Sequence, residues 1–337
     1  MTSTQPAKTP VPLPGISSRA WEHPTDRGAL IALRKLKGFD TVLKMMSGLV
    51  NERTMRLVFL GSAVRVDERQ FPELHYLLRD TARVLDVEGE LPEMYVTASP
   101  FLEAMTIGLE KPIIVIGSAL VDLLDQEELR FVVGHELGHA LSGHAVYRTL
   151  LQRLLTMTGV LNAVPLGALG VRAIVAALYE WSRKAELSAD RAGLLATQDP
   201  AAAQRVHMQL ASGGLAGDLD LATFRAQGQE YLDAGDLRDS VLKAMLVERT
   251  THPFAVVRAA ELRRWVESGE YTAVLGGAYP RRVDDDGAKV TDAAREAAAS
   301  YAEMFRSSQD AVGRLVHDLA GVAGSFKVWL DERLRRD

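Results

Sequence analysis

The chain has 337 residues, of which 47% are hydrophobic and 25% charged, and its formal net charge at pH 7 is −5. This composition predicts a globular protein with a sizeable core, and the negative charge without a basic, aromatic-interleaved stripe argues against nucleic acid as a partner. The chain has no cysteine, so disulfides, thiolate metal sites and a cysteine nucleophile are excluded, and a metal must be held by nitrogen and oxygen atoms.

The first 27 residues are rich in proline, serine and threonine and lack an apolar stretch after a basic start. We therefore predict a flexible N-terminal arm over 1–27, no secretory signal peptide and a cytoplasmic location. Helical periodicity begins at about residue 28. The segment 71–87 repeats apolar residues every three or four positions, with Pro72 where a first-turn proline fits. The segments 29–50 and 71–87 are both predicted to be helices that cover the core.

Three short β-rich runs follow, each bounded by glycine or proline, and they predict strands of a small sheet. The runs are Glu93–Ala98, Glu103–Gly108 and Lys111–Ser118. Downstream, Asp125 with Glu128 three residues later resembles a capping box that opens a helix. This helix carries three histidines and a glutamate in the run VVGHELGHALSGH, residues 132–144.

A second long helix is predicted from Val171 to Ala196, and further helices continue to about Trp265. The Gly-rich run Ser212–Asp218 follows no strand and carries no P-loop lysine, so we interpret it as a plain loop. The segment 281–290, with three adjacent aspartates, is interpreted as a linker. The chain is therefore predicted to be α+β and mostly helical.

The HELGH motif places His135 and His139 four residues apart, so on a helix both imidazoles project from one face and can share one cation. Glu136, next to the first histidine, can reach a water molecule that the cation polarises. A catalytic site needs three protein ligands and an open position for water. A third ligand must therefore come from elsewhere in the chain.

Two positions compete for the third ligand. His144 lies five residues beyond His139, so a continuous helix turns it about 140° from the shared face. We interpret it as a helix-end or polar-face residue, with ligation through a sharp bend as the alternative. Glu186, with Asp190 four residues later on the same helix face, is the preferred ligand, and a surface ion pair is its alternative. Asp190 can accept the second ring N–H of a ligand histidine, and an ordinary helix ion pair is the alternative.

Three stretches of the chain resemble the HtpX-like zinc metallopeptidases, which are gluzincins related to the CAAX-prenyl proteases. The stretches are Thr106–His144, Trp181–Ala196 and Thr251–Leu262. The resemblance covers roughly Leu91 to Trp265. It implies a zincin-like catalytic domain over 28–280, with a small β-sheet beside the HExxH helix.

The resemblance also implies roles for individual residues. It implies one zinc ion per chain, with His135, His139 and Glu186 as ligands and Glu136 as general base, in agreement with the spacing argument. One departure is visible, because the family commonly has an Asn-Ala-aromatic run before the strand that leads to the motif helix. Here that run is Glu103, Ala104 and Met105, which puts the edge-strand contacts to substrate in doubt.

The run Thr251–Pro253, with Arg258 five residues after the proline, also fits the family's pattern. His252 has the chemistry to donate to an oxyanion as a catalytic residue, or to occupy the open position of zinc when no substrate is bound. Helix capping is its alternative role. Arg258 is expected to pair with an acidic residue of the second long helix.

These residues predict a zinc-dependent endopeptidase that hydrolyses protein substrates, misfolded proteins among them. A water molecule on zinc has a pKa near ~7, so Glu136 can take its proton during attack on a carbonyl and return it to the leaving amine. The edge strand at residues 104–107 is expected to hold an extended peptide by β-augmentation. The alternative function is a zinc-binding chaperone or scaffold protein without proteolytic activity.

Two segments raise the question of partners. Residues 154–171 are free of charge and reach the lower limit for a membrane span. Since ligands on both sides of this segment must meet at one metal, we predict a buried helix end or flap, with peripheral membrane contact as the alternative. Residues 291–337 form a heptad seam and predict a long amphipathic C-terminal helix. It either folds back on its own domain, or pairs with a second copy or a partner protein, or lies on a membrane.

Overall fold

The computed structural model describes residues 9–35, 39, 43, 51–156, 167–233, 252, 254–286, 291 and 294–299. The α-helices with bounds in these residues are α1 (Pro24–Arg34), α2 (Glu52–Ser62), α3 (Pro72–Val84), α4 (Ser118–Leu123), α5 (Gln126–Leu141), α6 (His144–Thr156), α7 (Gly167–Thr197), α8 (Pro200–Ser212), α9 (Leu221–Asp233), α10 (Ala255–Glu267) and α11 (Glu270–Leu275). Short 3-10 helices span Ser18–Ala20, Ala216–Asp218 and Arg282–Asp284. The prediction of a mostly helical chain is confirmed.

The strands are β1 (Val64–Arg65), β2 (Glu93–Thr97), β3 (Ala104–Ile107) and β4 (Ile113–Gly117), in the sheet order β1-β2-β4-β3. β2 and β4 are parallel, whereas β3 is antiparallel to β4 and forms one edge of the sheet. The three predicted strands are confirmed. β1 was not predicted, because two residues are too short for a period-2 pattern to show.

Both faces of the sheet carry apolar side chains, because successive residues of a strand point to opposite faces. Met94 and Ile114 belong to the main core with α3, α5 and α7, whereas Tyr95 and Val115 face the opposite side, where Phe59 of α2 covers them. A second core joins α1, α6 and α7. The helix α5 therefore lies between the sheet and α7, in the interior of the protein.

A capping box starts α5 where the sequence predicted it. The Asp125 carboxylate accepts the backbone N–H of Glu128 at 2.8 Å, and the Glu128 carboxylate accepts the backbone N–H of Asp125 at 3.0 Å. From Phe131 to His139 every residue of the helix is buried. Ionisable groups in this stretch are therefore held away from water and need partners within the protein.

Two glycines of α5 allow it to approach α7 closely. A Cβ built at Gly134 would lie 2.4 Å from Cβ of Ala196, and one built at Gly138 would lie 2.5 Å from Cβ of Ala192. Such distances are far inside van der Waals contact, so no side chain fits between the two backbones. This approach brings the HELGH face of α5 within reach of Glu186 on α7.

Gly134→Ala is expected to lower the free energy of unfolding. Alanine ordinarily stabilises a helix interior over glycine by about 0.5–1 kcal/mol, but overpacking a core costs about 1–3 kcal/mol and outweighs that gain. Gly61→Ala in α2 is the control, since a Cβ there would meet no atom within 4 Å. Urea unfolding of both variants in one metal-free buffer measures the difference. Equal stability of the two would contradict the close approach.

The predicted flexible arm is wrong over its described part, residues 9–27. Leu13, Ile16 and Trp21 are each 1% exposed, and the backbone N–H of Leu13 donates to the carbonyl of Val84 at 2.9 Å. These apolar residues are separated by prolines and glycine in irregular steps, so they show neither helical nor strand periodicity. Only their contacts with the rest of the core reveal that the segment is folded. Residues 1–8 lie outside the described residues.

The predicted linker is also wrong over residues 281–286. Arg282 pairs with Asp86 at 2.6 Å and with Glu88 at 2.8 Å, and the Ser17 hydroxyl donates to Asp285 at 2.7 Å. Through Arg282 and Asp285 this segment is attached to the residues that follow α3 and to the N-terminal segment. The three aspartates stay exposed, and within the described residues Asp285 is the one that contacts residues far away in the sequence, Ser17 and Arg19.

The start of the C-terminal segment folds back on its own domain. Ala294 and Ala298 are buried, and Ala297 packs against the core that joins α1, α6 and α7, next to Gly28 of α1. Residues 301–337, which carry most of the predicted heptad seam, lie outside the described residues. A partner for that part of the seam stays a prediction.

The charge-free segment 154–171 is described only at its ends. Leu154 is buried with the core of α1, α6 and α7, and residues 157–166 lie outside the described residues. In the part of the chain that the structure describes, no helix combines the length and the apolar character needed to cross a membrane. Contact of this segment with a membrane surface stays a prediction.

Candidate metal centre

Three buried side chains converge between α5 and α7. The Nε2 atoms of His135 and His139 are 3.1 Å apart, as expected for histidines one helical turn from each other. Glu186 completes the group, with one carboxylate oxygen 3.4 Å from Nε2 of His135 and the other 3.3 Å from Nε2 of His139. Within the described residues, these three form the group that could hold a metal ion.

The geometry of this group fits a tetrahedral ion. Ligand atoms at 2.0–2.1 Å from zinc are about 3.3 Å apart in a tetrahedron. The separation of the two Nε2 atoms, and the distance from each Nε2 to its nearer Glu186 oxygen, lie close to that value. Neither oxygen of Glu186 accepts a hydrogen bond, although the residue is fully buried. The guanidinium groups of Arg148 and Arg258 approach it only to 3.5 and 3.4 Å. A buried carboxylate without hydrogen bonds is costly unless a cation meets it.

Glu136 lies at the border between this group and the sheet. Its carboxylate oxygen Oε2 is 2.7 Å from the hydroxyl of Thr106 in the edge strand β3, and Oε1 is 4.0 Å from Nε2 of His135. The side chain is 2% exposed. Thr106 therefore orients the carboxylate. The sequence contained no signal for this role, since the residue stands in a strand whose position relative to α5 was unknown.

Asp190 contacts the other ring nitrogen of His135. Its Oδ1 is 3.0 Å from Nδ1 of His135, and Arg258 donates to both carboxylate oxygens at 2.8 and 2.5 Å. Burial by itself would raise the pKa of Asp190, but Arg258 and His207 outweigh it and hold this pKa well below its usual range. The carboxylate is thus ionised and acts as an acceptor. The structure thus places Asp190 against His135 and pairs Arg258 with an acid of α7, and the role of Asp190 behind a metal ligand stays a prediction.

His207 of α8 was not singled out in the sequence. Its Nε2 is 3.3 Å from Oδ2 of Asp190, and its Nδ1 is 2.7 Å from the backbone carbonyl of Ala203. Both partners of this ring, the carbonyl and the carboxylate, are hydrogen-bond acceptors. A neutral ring has one N–H, so it can donate to only one of the two. A histidine between the apolar residues Val206 and Met208 was the available signal, but the sequence alone gave it no partner.

His144 meets His139 on the side away from Glu186. Its Nδ1 is 3.0 Å from Nδ1 of His139, and its Nε2 is 3.1 Å from Oδ2 of Asp26. His144, the first residue of α6, is therefore buried and lies outside the group of three candidate ligands. Asp26 was missed, because it lies in the segment that was predicted to be a flexible arm.

His252 lies beside Glu186, with its Nε2 3.5 Å from Oε1 of that carboxylate. It lines a cleft of about 1160 Å³ together with His135, Glu136 and Ala104 of β3. One part of the cleft wall is apolar, with Leu120, Phe131, Val132, Val206 and Leu210, and Gln227, Glu230 and Tyr231 add polar groups elsewhere. The site thus opens from a buried, charged floor into a space that can take a chain of atoms.

Much of the chain is similar to known peptidases. The model of peptidase family M48 matches residues 68–266. The chain is 34% identical over 260 residues to the plastoglobule-localized metallopeptidase 48, chloroplastic, of Arabidopsis thaliana, over 76% of this chain and 74% of that protein. It is 29% identical over 114 residues to the protease HtpX homologues of Streptococcus pneumoniae strains Hungary19A-6 and 70585, over 33% of this chain and 36% of theirs. No solved structure matches it.

Proposed function

The chain belongs to peptidase family M48, and from this premise we propose that it is a zinc-dependent endopeptidase that cleaves protein substrates, misfolded proteins among them. The observation that carries the proposal is the position of the Glu136 carboxylate. It is buried beside the three-residue metal group, held by Thr106, and lines the cleft. A purely structural metal site gives no reason for a carboxylate in that place.

In this proposal one zinc ion per chain is held by His135, His139 and Glu186. When bound there, zinc would polarise the scissile carbonyl and lower the pKa of water towards ~7. Glu136 takes the proton of the attacking water at Oε1, the oxygen that faces His135, and returns it to the leaving amine. Thr106 keeps the carboxylate in position for both transfers.

His252 is assigned to the carbonyl oxygen of the substrate. It lines the cleft on the same side as Glu186, where a ring N–H can donate to negative charge that develops on that oxygen. The substrate itself would lie along β3, whose outer edge is paired with no strand of the described residues. An extended peptide can pair with such an edge, and the apolar part of the cleft wall can receive its side chains.

The test is to incubate the purified chain with an unfolded protein and to sequence the products by mass spectrometry. We expect internal cuts, loss of cleavage after chelation, its return on addition of zinc, and one zinc per chain by elemental analysis. Release of terminal residues alone would indicate an exopeptidase. Suppressed aggregation without new termini would support the alternative, a zinc-binding chaperone or scaffold protein.

Asp190→Asn is expected to weaken zinc affinity by about 10–100-fold, as is typical when the partner of a ligand histidine is lost. An uncharged amide oxygen accepts the N–H of Nδ1 of His135 more weakly than the carboxylate does, so it holds the tautomer of the ring less firmly. Competition with a chelator measures the affinity. Glu180→Gln on the same helix is the control, since Glu180 pairs with Arg183 and Lys184 instead. Unchanged affinity in Asp190→Asn would leave this residue a structural role, through its contacts with Arg258 and His207.

A further inference from the structure

A line of buried polar groups leads from His139 to the N-terminal segment. Nδ1 of His139 is 3.0 Å from Nδ1 of His144, and Nε2 of His144 is 3.1 Å from Oδ2 of Asp26. The hydroxyl of Ser188 donates to the same Oδ2 at 2.6 Å. All four side chains are buried. Each contact is within hydrogen-bond distance, so the line is continuous from the metal group to α1.

The chemistry of these groups permits one direction of donation. A histidine that offers its Nε2 lone pair to a metal carries its proton on Nδ1, so His139 donates to Nδ1 of His144. His144 must then carry its own proton on Nε2, and it donates to the Asp26 carboxylate. An ionised carboxylate only accepts hydrogen bonds, so the line ends there and cannot reverse. Ser188 supplies a second donor to the same oxygen.

We propose that Asp26 is a positioning residue of the metal centre, which acts through His144 to fix the tautomer and the ring orientation of His139. The proposal rests on the proposed function, because it takes His139 as a ligand. In this arrangement the Nδ1 atom of each HELGH histidine is linked to a carboxylate. His135 contacts Asp190 directly, whereas His139 reaches Asp26 through the ring of His144. Partners of this kind typically tune metal affinity.

The N-terminal segment is built to hold Asp26 in place. The backbone N–H of His23 donates to the hydroxyl of Ser188 at 2.9 Å, and Nε1 of Trp21 donates to the hydroxyl of Ser142 at 3.1 Å. These bonds attach the start of α1 to α7 and to the end of α5. Asp26 lies outside residues 68–266, the part of the chain that the family model matches. The segment before the matched domain thus supplies a group to the metal centre.

The experiment measures zinc affinity of the full-length chain by competition with a chelator. We expect Asp26→Asn to weaken zinc binding by about 10-fold, the low end of the range for such partners, because one imidazole intervenes. His144→Phe, which removes both ring nitrogens, should weaken it at least as much. In the double variant Asp26→Asn should have no further effect, because its path to His139 is already cut.

Two further measurements separate positioning from stability. Leu33→Ala alters α1 at a buried position outside the line, so it should lower the melting temperature and leave zinc affinity unchanged. Nitrogen-15 NMR of the zinc-loaded wild type should show His144 with its proton on Nε2, and Asp26→Asn should reduce that preference.

The outcomes that count against the proposal are distinct from those that count against the proposed function. If the wild-type chain binds zinc and the Asp26→Asn variant binds it with equal affinity, only the role of Asp26 is overturned. A proton on Nδ1 of His144 in the zinc-loaded protein would do the same. A wild-type chain that binds no zinc would overturn the proposed function, and this inference with it.

Discussion

Glu136→Gln is expected to reduce peptide hydrolysis by about 10²–10⁴-fold, the usual contribution of a general acid–base group, while zinc remains bound. Glutamine keeps the size of the side chain and can still accept the hydroxyl of Thr106, but its amide cannot take a proton from water. Glu136 is not among the three residues of the metal group, so the ion should stay in place. Activity would be lost without loss of metal or fold.

The measurement combines cleavage of an unfolded protein with zinc content and melting temperature for the same samples. Glu127→Gln serves as the control, because Glu127 lies on the same helix but pairs with Arg130 and accepts the hydroxyl of Thr197. The control should cleave like the wild type. Full activity of Glu136→Gln would rule out Glu136 as the base, whatever the zinc content of the variant.

The second large effect is expected at the ligands themselves. His135→Ala, His139→Ala and Glu186→Ala should each lose stoichiometric zinc, because two remaining ligands do not complete a protein site. The loss should also appear in stability. A ligand at 1,000 times its dissociation constant stabilises the folded state by about 4 kcal/mol, so the zinc-dependent rise in melting temperature should vanish in each variant.

Elemental analysis after gel filtration and thermal unfolding with and without zinc test this expectation. His75→Ala is the matched control, since His75 lies on α3 with its ring against Tyr76 and outside the metal group. The control should keep one zinc per chain and the full zinc-dependent stabilisation. If His135→Ala kept one zinc per chain, the ligand assignment would be wrong, even if the variant were inactive.

Much of this site could be predicted because its parts repeat at helical spacing. His135 and His139 are one turn apart, as are Glu186 and Asp190, and a helix places such pairs on one face whatever surrounds it. The capping box of Asp125 and Glu128 is equally local, since both hydrogen bonds join residues three apart. Predictions of this kind need only the geometry of one element.

Other parts of the site depend on contacts between elements that are far apart in the sequence. Thr106 reaches Glu136 across 30 positions, and Asp26 accepts the hydroxyl of Ser188 across 162. Neither residue stands in a pattern that sets it apart from an ordinary strand threonine or helix aspartate. The proline, serine and threonine content of the first 27 residues predicted a flexible arm, because the irregular spacing of its apolar residues hid their contribution to the core.

The sequence by itself determined which residues can bind a metal and which helix faces carry them, because helical periodicity and ligand chemistry are properties of short segments. Only the tertiary structure decided that these faces meet, through the contact of Gly134 with Ala196 that no local pattern encodes. The tertiary structure also decided which groups contact the Nδ1 atoms of the two histidines. A buried imidazole needs a hydrogen-bond partner wherever the chain supplies one, and here the N-terminal segment supplies Asp26.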